Sequence, residues 1–272
     1  MQLQQSAGDF EKRGIGLAAI SYDPPATLKA FATARGITFP LLSDEGSEVI
    51  KRFGILNTAA TGKTLGIPYP GTFVVNAKGL VIRRSFEERY QERATGSSLL
   101  GNHASQQRDT DRKDTPHLTL TTSPSDAVVA PGTRFSLWVD ITPKPTMHVY
   151  APEQIDYIPI EISLEADDSF KVWPPVFPKG EKFFFAPLKE TQLVFSKPFR
   201  IVQDVTVSLS APVRQRAASA GATLTIKGTL RYQACDDKVC YLPQSIPLSW
   251  TVGLRPLAQS PKPLNLRREP QS

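Results

Sequence analysis

A chain of 272 residues, 40% hydrophobic, 21% charged and 9% aromatic, has the composition of a soluble protein and is long enough for two ordinary domains. Nothing in it approaches the ~18–20 uninterrupted apolar residues of a membrane span, and Met1–Phe10 is polar, without the basic and apolar regions of a secretory signal. The net charge of +6 is spread over separate doublets (Lys12/Arg13, Lys51/Arg52, Arg83/Arg84, Arg267/Arg268), with no basic stripe interleaved with aromatics, which argues against a nucleic-acid partner.

Residues 1–93 read as alternating helix and strand, hence α/β. Leu3, Ala7 and Phe10 recur at helical spacing, and Gly14 follows. Gly16–Tyr22 is an apolar run of strand length, as expected for a strand buried on both faces. Asp23 is a candidate N-cap, followed by Pro24 and Pro25 and a helix through Leu28, Phe31 and Ala34 that stops at Gly36. Asp44 is expected to cap a second helix through Val49, Ile50 and Phe53, stopped by Gly54. Gly71–Val75 and Leu80–Phe86 read as a hairpin around Asn76-Ala77-Lys78-Gly79.

Residues 94–116 are polar, almost without apolar side chains after Leu100, and are expected to be a flexible linker. Residues 117–253 carry short alternating runs separated by Pro and Gly: 118–122, 134–141, 158–164, 192–194, 206–209, 223–232 and 246–252. No helical period persists there, so this part is expected to be a β-sandwich. Residues 254–272, rich in Pro and Arg, are expected to be a disordered tail. Gly62-Lys63-Thr64 is not the end of a phosphate loop, because Asn57 stands where that motif needs glycine.

The segments Ala19-Ile20-Ser21-Tyr22-Asp23-Pro24-Pro25, Leu28-Lys29-Ala30-Phe31, 37–44 and Gly66-Ile67-Pro68-Tyr69-Pro70-Gly71-Thr72-Phe73-Val74-Val75 resemble the peroxiredoxin-related AhpC/TSA redoxins, a branch of the thioredoxin fold. The resemblance covers about residues 1–93. It implies that Pro70 occupies the family's cis-proline position facing the reactive cysteine. It also implies a reactive cysteine at the start of the first long helix, where the helix N-terminus favours the thiolate. No cysteine precedes Cys235, and Tyr69 and Pro70 stand where the family's peroxidases carry an arginine. The resemblance therefore implies a redoxin domain truncated at its N-terminus, the natural chain beginning upstream with a strand that would lie between 16–22 and 71–75.

The only cysteines, Cys235 and Cys240, flank Asp236-Asp237-Lys238-Val239, between two strand-like runs. Across a four-residue hairpin loop, flanking residues face each other with Cα atoms ~4.5–5.5 Å apart, inside the ~4.4–6.8 Å window for a disulfide. In the loop-entropy model so short a loop contributes only about 2 kcal/mol. Spacing alone leaves three readings: a structural disulfide, a redox pair or part of a metal site. A zinc site would need two more ligands, and His103, His117 and His148 offer no matching spacing.

Residues 117–253 resemble the N-terminal periplasmic domain of the DsbD family, an immunoglobulin-like sandwich that passes electrons through two cysteines to thioredoxin-fold partners. Cys235 and Cys240 match that pair. Met147-His148-Val149-Tyr150 matches the stretch that lines the site with a tyrosine, here Tyr150. Lys182-Phe183-Phe184-Phe185-Ala186 falls where the family has an aromatic cap, so Phe183, Phe184 and Phe185, together with Tyr241, are expected around the cysteines. Three consecutive aromatics cannot all face one side of a strand. The family's best-known member has five residues between its cysteines, against four here.

Together the two resemblances imply a thiol–disulfide oxidoreductase of the bacterial envelope, periplasmic, without cofactor or metal. Its partners would be thioredoxin-fold proteins or a membrane electron donor, or the chain's own first domain. The alternatives are a redoxin-type peroxidase whose cysteine lies upstream of Met1, and a non-catalytic binding module stapled by its disulfide.

Overall fold

The computed structural model describes residues 2–86, 93–100, 111–155, 157–185 and 189–257. The described residues up to Leu100 form one compact unit and those from Asp111 to Leu257 the other.

The first unit is α/β. Its helix Gln2–Glu11 buries Phe10 and is followed by Gly14 at φ 68°. The helix Pro25–Arg35 has its proline at the first turn, where a missing N–H costs nothing, and ends on Gly36 in the left-handed conformation. Its N-cap is Pro24 rather than Asp23, because the Asp23 carboxylate instead accepts a 2.7 Å bond from Ser21 Oγ. The second expected helix is shortened to Glu48–Arg52. Asp44 still caps it, from three residues before its N-cap Ser47: its two carboxylate oxygens accept from the amides of Val49 at 3.2 Å and Ile50 at 2.9 Å. A short helix, Gly96–Leu100, lies within the stretch expected to be linker. Its Ser98 amide donates to Thr95 Oγ1, and a Cβ at Gly96 would lie 2.5 Å from Ser6 Oγ of the first helix.

Two separate ladders lie within this unit. Ala19–Ser21 pairs in parallel with Leu41–Ser43, and Gly71–Val75 pairs antiparallel with Val81–Phe86 around an Asn76 turn. The long apolar run thus yields only a three-residue strand, and Ile20 is 38% exposed rather than buried on both faces. A strand buries both faces only with a layer on each side, and among the described residues this one has a single neighbour in its sheet. The Tyr69–Pro70 bond, expected to be cis, is trans, and no described peptide bond is cis. Trans is the intrinsically favoured isomer by about 0.5–1 kcal/mol, and Tyr69 is held by an ordinary 2.7 Å bond to Ile55 O.

The second unit is a β-sandwich. One sheet runs, in spatial order, Phe170–Val172, Phe199–Val207, Thr133–Pro143, Leu118–Pro124 and Asp111–Asp114. The facing sheet runs Glu161–Leu164, Thr223–Tyr232, Gln244–Leu254 and Val128–Val129. One apolar core, including Leu137, Val139, Ile201, Leu224 and Trp250, is shared between them. The sheets are also tied by polar bonds, with Trp250 Nε1 donating to Trp138 O and Thr122 Oγ1 to Ser249 O.

Asp111–Asp114 is a strand although the surrounding stretch reads as linker. A ladder is made by backbone groups, so an edge strand needs no apolar side chains. Leu254, placed in the tail by the sequence, closes a strand instead, while residues 258–272 lie outside the described residues. A helix absent from the sequence reading, Ala211–Ala217, buries Val213 and Ala217. With two turns it is too short to impose a period.

A third sheet positions the cysteines: Glu181–Phe185, Glu190–Phe195, His148–Tyr150 and Ala234–Cys235.

Candidate dithiol site

The hairpin closes as the turn residues dictate. Asp236 Oδ1 accepts from the amides of Lys238 (2.8 Å) and Val239 (2.7 Å), and the Asp236 amide donates to Val239 O at 2.9 Å. The Tyr241 amide donates to Ala234 O at 2.9 Å. Between these two bonded pairs Cys235 and Cys240 sit directly opposite, at the position where antiparallel strands come closest. Their Cα atoms are 4.1 Å apart, and the sulfurs form a disulfide.

The two cysteines differ in exposure. Cys235 is 1% exposed, whereas Cys240 is exposed. The difference follows from the sheet. Ala234–Cys235 pairs with His148–Tyr150, with His148 opposite Cys235 and Val149 opposite Ala234. Alternation then sends Val149 and Ala234 into the sandwich core and gathers Tyr150 and Cys235, with Val194, in a second small cluster. Phe183 and Tyr157 pack against this cluster. Cys240 stands at the rim, on the returning arm of the hairpin.

Tyr150 is fully buried, and its hydroxyl lies 3.1 Å from Cys235 Sγ and 3.3 Å from Cys240 Sγ. Disulfide sulfurs carry no proton, so Tyr150 is the donor. Its ring stacks on Tyr157 at 4.5 Å, and the Tyr157 hydroxyl donates to Glu190 at 2.7 Å. Burial first, then the neighbouring Tyr157 and Glu190, push the Tyr150 hydroxyl up to about 12, so it keeps its proton at any physiological pH.

The aromatic strand divides as alternation requires. Phe183 lies over the site, with its ring 4.4 Å from that of His148. Phe185 is buried, and Phe184, between them, is 61% exposed on the opposite face. Ala186 lies outside the described residues. Tyr241 does not line the sulfurs. One residue beyond Cys240, it turns to the other face of the hairpin, where its ring meets His117 at 4.6 Å and its hydroxyl donates to Asp236 at 2.8 Å. It braces the turn. Pro70 belongs to the first unit.

The sequence reading missed two residues. The sequence places His148 only within the stretch that lines the site and rejects it as a metal ligand; it shares a strand face with Tyr150 two residues on, and the register sets it opposite Cys235. Tyr157 had no signal, since only the chain's path brings it onto Tyr150. Burial pulls the His148 imidazole below its ordinary range, and Asp237 and Asp236 pull weakly the other way. Among the described residues no three His, Cys, Asp or Glu side chains converge as a metal site would require.

This arrangement can undergo thiol–disulfide exchange: one exposed cysteine, one enclosed cysteine and a fixed hydroxyl within reach of both sulfurs. Residues 120–247 match the family model for the N-terminal domain of the thiol:disulfide interchange protein DsbD. Residues 1–84 match the AhpC/TSA family. The chain thus joins a segment similar to the AhpC/TSA family to one similar to the DsbD N-terminal domain.

The redoxin segment is 36% identical over 94 residues to a Mycobacterium tuberculosis protein described as a peroxiredoxin, covering 34% of this chain and 57% of that one. It is 40% identical over 82 residues to alkyl hydroperoxide reductase E of Mycobacterium bovis, covering 29% and 50%. The chain spans about half the length of these curated relatives. Among solved structures, the N-terminal domain of Neisseria meningitidis DsbD in the reduced form aligns with 17% identity and a TM-score of 0.30, over 44% of this chain and 82% of that one. The N-terminal periplasmic domain of ScsB from Proteus mirabilis aligns with 13% identity and a TM-score of 0.37, over 52% and 49%.

Proposed function

We propose that the Cys235–Cys240 pair relays electrons by thiol–disulfide exchange with thioredoxin-fold partners in the bacterial envelope. The observation that carries this reading is the asymmetry of the pair: an exposed Cys240 bonded to a buried Cys235, with the Tyr150 hydroxyl 3.3 Å and 3.1 Å from their sulfurs. An incoming thiolate reaches Cys240 and forms the mixed disulfide there, and Cys235 leaves. In reverse, Cys235 resolves. Tyr150 donates to the sulfur that takes up negative charge, and Phe183 shields the bond from indiscriminate thiols. The match to a thiol:disulfide interchange family supports the reaction class and an oxidising compartment, where such pairs cycle. No helix among the described residues is long and apolar enough to cross a membrane.

Trapping tests the assignment. With Cys235→Ser, Cys240 remains as a reachable thiol and accumulates a mixed disulfide with a thioredoxin-fold partner. With Cys240→Ser, the remaining Cys235 is enclosed and accumulates little. Equal trapping by both variants, or by neither, sinks the relay.

The AhpC/TSA match favours a second reading, peroxide reduction, in which the sandwich supplies electrons to the redoxin unit. Residues 1–234 contain no cysteine, so the chain's own residues offer no peroxidatic thiol in that unit. Peroxide consumption by this chain that survives Cys235→Ser and Cys240→Ser together would overturn this statement.

A further inference from the structure

His148 carries a hydrogen-bonding atom that nothing uses. Its side chain is 2% exposed, and its Nε2 meets no partner among the described residues. Buried polar atoms are rarely left so, because the lost water bonds are not replaced. Register sets His148 directly opposite Cys235 on the same face of the sheet, where facing Cβ atoms stand about 4.5–5.5 Å apart. The ring is fixed by Phe183 at 4.4 Å on one side and by the edge of Tyr150 at 6.1 Å on the other. A held ring with a free nitrogen thus stands opposite the less accessible cysteine; in the disulfide form Nε2 makes no bond to Cys235 Sγ, and it is open to accept a proton once the Cys235 thiol is released.

We propose that His148 is the proton acceptor for Cys235 during resolution of the mixed disulfide, an inference that rests on the exchange reading above. With the imidazole proton on Nδ1, the Nε2 lone pair takes the proton of the Cys235 thiol. The thiolate attacks Cys240 Sγ, and the Cys235–Cys240 bond forms. The bond from Cys240 to the partner sulfur breaks with its electron pair, and the partner thiolate takes a proton from solvent. The Cys235–Cys240 pair is thereby oxidised and the partner disulfide reduced by two electrons. The imidazolium, now beside a neutral disulfide, returns its proton to water.

The surroundings suit this cycle. Burial favours the neutral imidazole, the form able to accept a proton, while the sulfurs are bonded. Asp236 and Asp237 on the turn favour the cation only weakly, with Lys238 beside them on the same turn. On the covering strand Glu181 is paired with Lys197, and Lys182 precedes Phe183. On the neighbouring strand Glu190 is engaged by Tyr157. Tyr150, on the same strand as His148, keeps its proton and does not compete for the one from Cys235.

The test is stopped-flow oxidation of the reduced full chain by hydroxyethyl disulfide between pH 5 and 8. At high disulfide concentration the concentration-independent step, attack by Cys235, limits the rate. In the wild type this step should rise with pH to a plateau, with its inflexion below 6.5. His148→Gln should lose the inflexion and slow the step by at least about a hundredfold, the low end for a lost general base. The bimolecular step at Cys240 should be unchanged. In the wild type the His148 ring resonance should titrate at higher pH in the reduced protein than in the oxidised one, which checks the proposal without any variant. Identical titration in both redox states, or a His148→Gln profile that superimposes on the wild type, overturns the role of His148 alone. Wild-type exchange that is slow at every pH overturns the relay reading and this inference with it.

Discussion

Replacing Tyr150 by Phe removes one oxygen and leaves the ring, which stays stacked on Tyr157 at 4.5 Å. The oxygen lies 3.1 Å from Cys235 Sγ and 3.3 Å from Cys240 Sγ. In the disulfide these are contacts to weak neutral acceptors, so thermal stability should change by less than about 1 kcal/mol. During exchange the leaving Cys235 sulfur becomes a thiolate, and a hydrogen bond to a charged group contributes about 1.5–3 kcal/mol. With charge half developed in the transition state, about half of that, roughly 0.8–1.5 kcal/mol, is lost, which slows the reaction roughly three- to tenfold. The assay is reduction of the oxidised chain by dithiothreitol at pH 7, followed by thiol labelling, with a thermal melt as control. The hydroxyl does not titrate until about 12, so the slowing should be the same from pH 6 to 9. A rate within about twofold of the wild type, under about 0.4 kcal/mol, refutes the idea that Tyr150 stabilises the leaving thiolate.

Phe183→Ala uncovers the disulfide and should speed its reduction while costing about 1–3 kcal/mol, less than a fully buried Phe. Phe184→Ala, one residue on and facing solvent, should stay within about 0.5 kcal/mol in chemical denaturation and leave the rate unchanged. Asp236→Ala removes the acceptor for two turn amides and for Tyr241, so hydrogen exchange at Lys238 and Val239 should accelerate. Unchanged protection would mean that the disulfide alone holds the turn.

Stability should also respond to pH at both extremes. Tyr150 and Tyr232 are held above the ordinary tyrosine value by burial, so between about 10 and 12 the unfolded chain has lost protons that the fold retains, and stability falls as pH rises. His148 is held below 6.5, so the unfolded chain binds the proton first, and stability falls as pH drops below that value. Denaturant midpoints that are flat across both windows would contradict the burial of these groups.

Much of the dithiol site was legible in the chain. Turn formers between two cysteines, with alternating runs on either side, specify a hairpin and hence opposed sulfurs. Alternation alone divided the three phenylalanines, because successive side chains on any strand point to opposite faces. The same rule, applied to Cys240 and Tyr241, would have placed Tyr241 away from the sulfurs. Applied to His148 and Tyr150, it would have paired them. In the first unit local signals located the helices, and Gly36 ended its helix in the left-handed conformation that few other residues adopt. The strand at Ala19–Ser21 was over-read, because an apolar run states a preference for burial and cannot state how many neighbours the sheet supplies.

The sequence by itself determined that there are two differently built units and one dithiol, and that the two sulfurs meet. Periodicity, turn chemistry and a spacing of five residues are local properties, carried by neighbours along the chain. It could not determine that Cys235 is enclosed and Cys240 open, that Tyr150 touches both sulfurs, or that His148 stands opposite Cys235. Those facts depend on the register between Ala234–Cys235 and a strand more than eighty residues earlier. Register between distant strands is decided by which faces the whole sandwich can bury, and only the folded chain makes that choice.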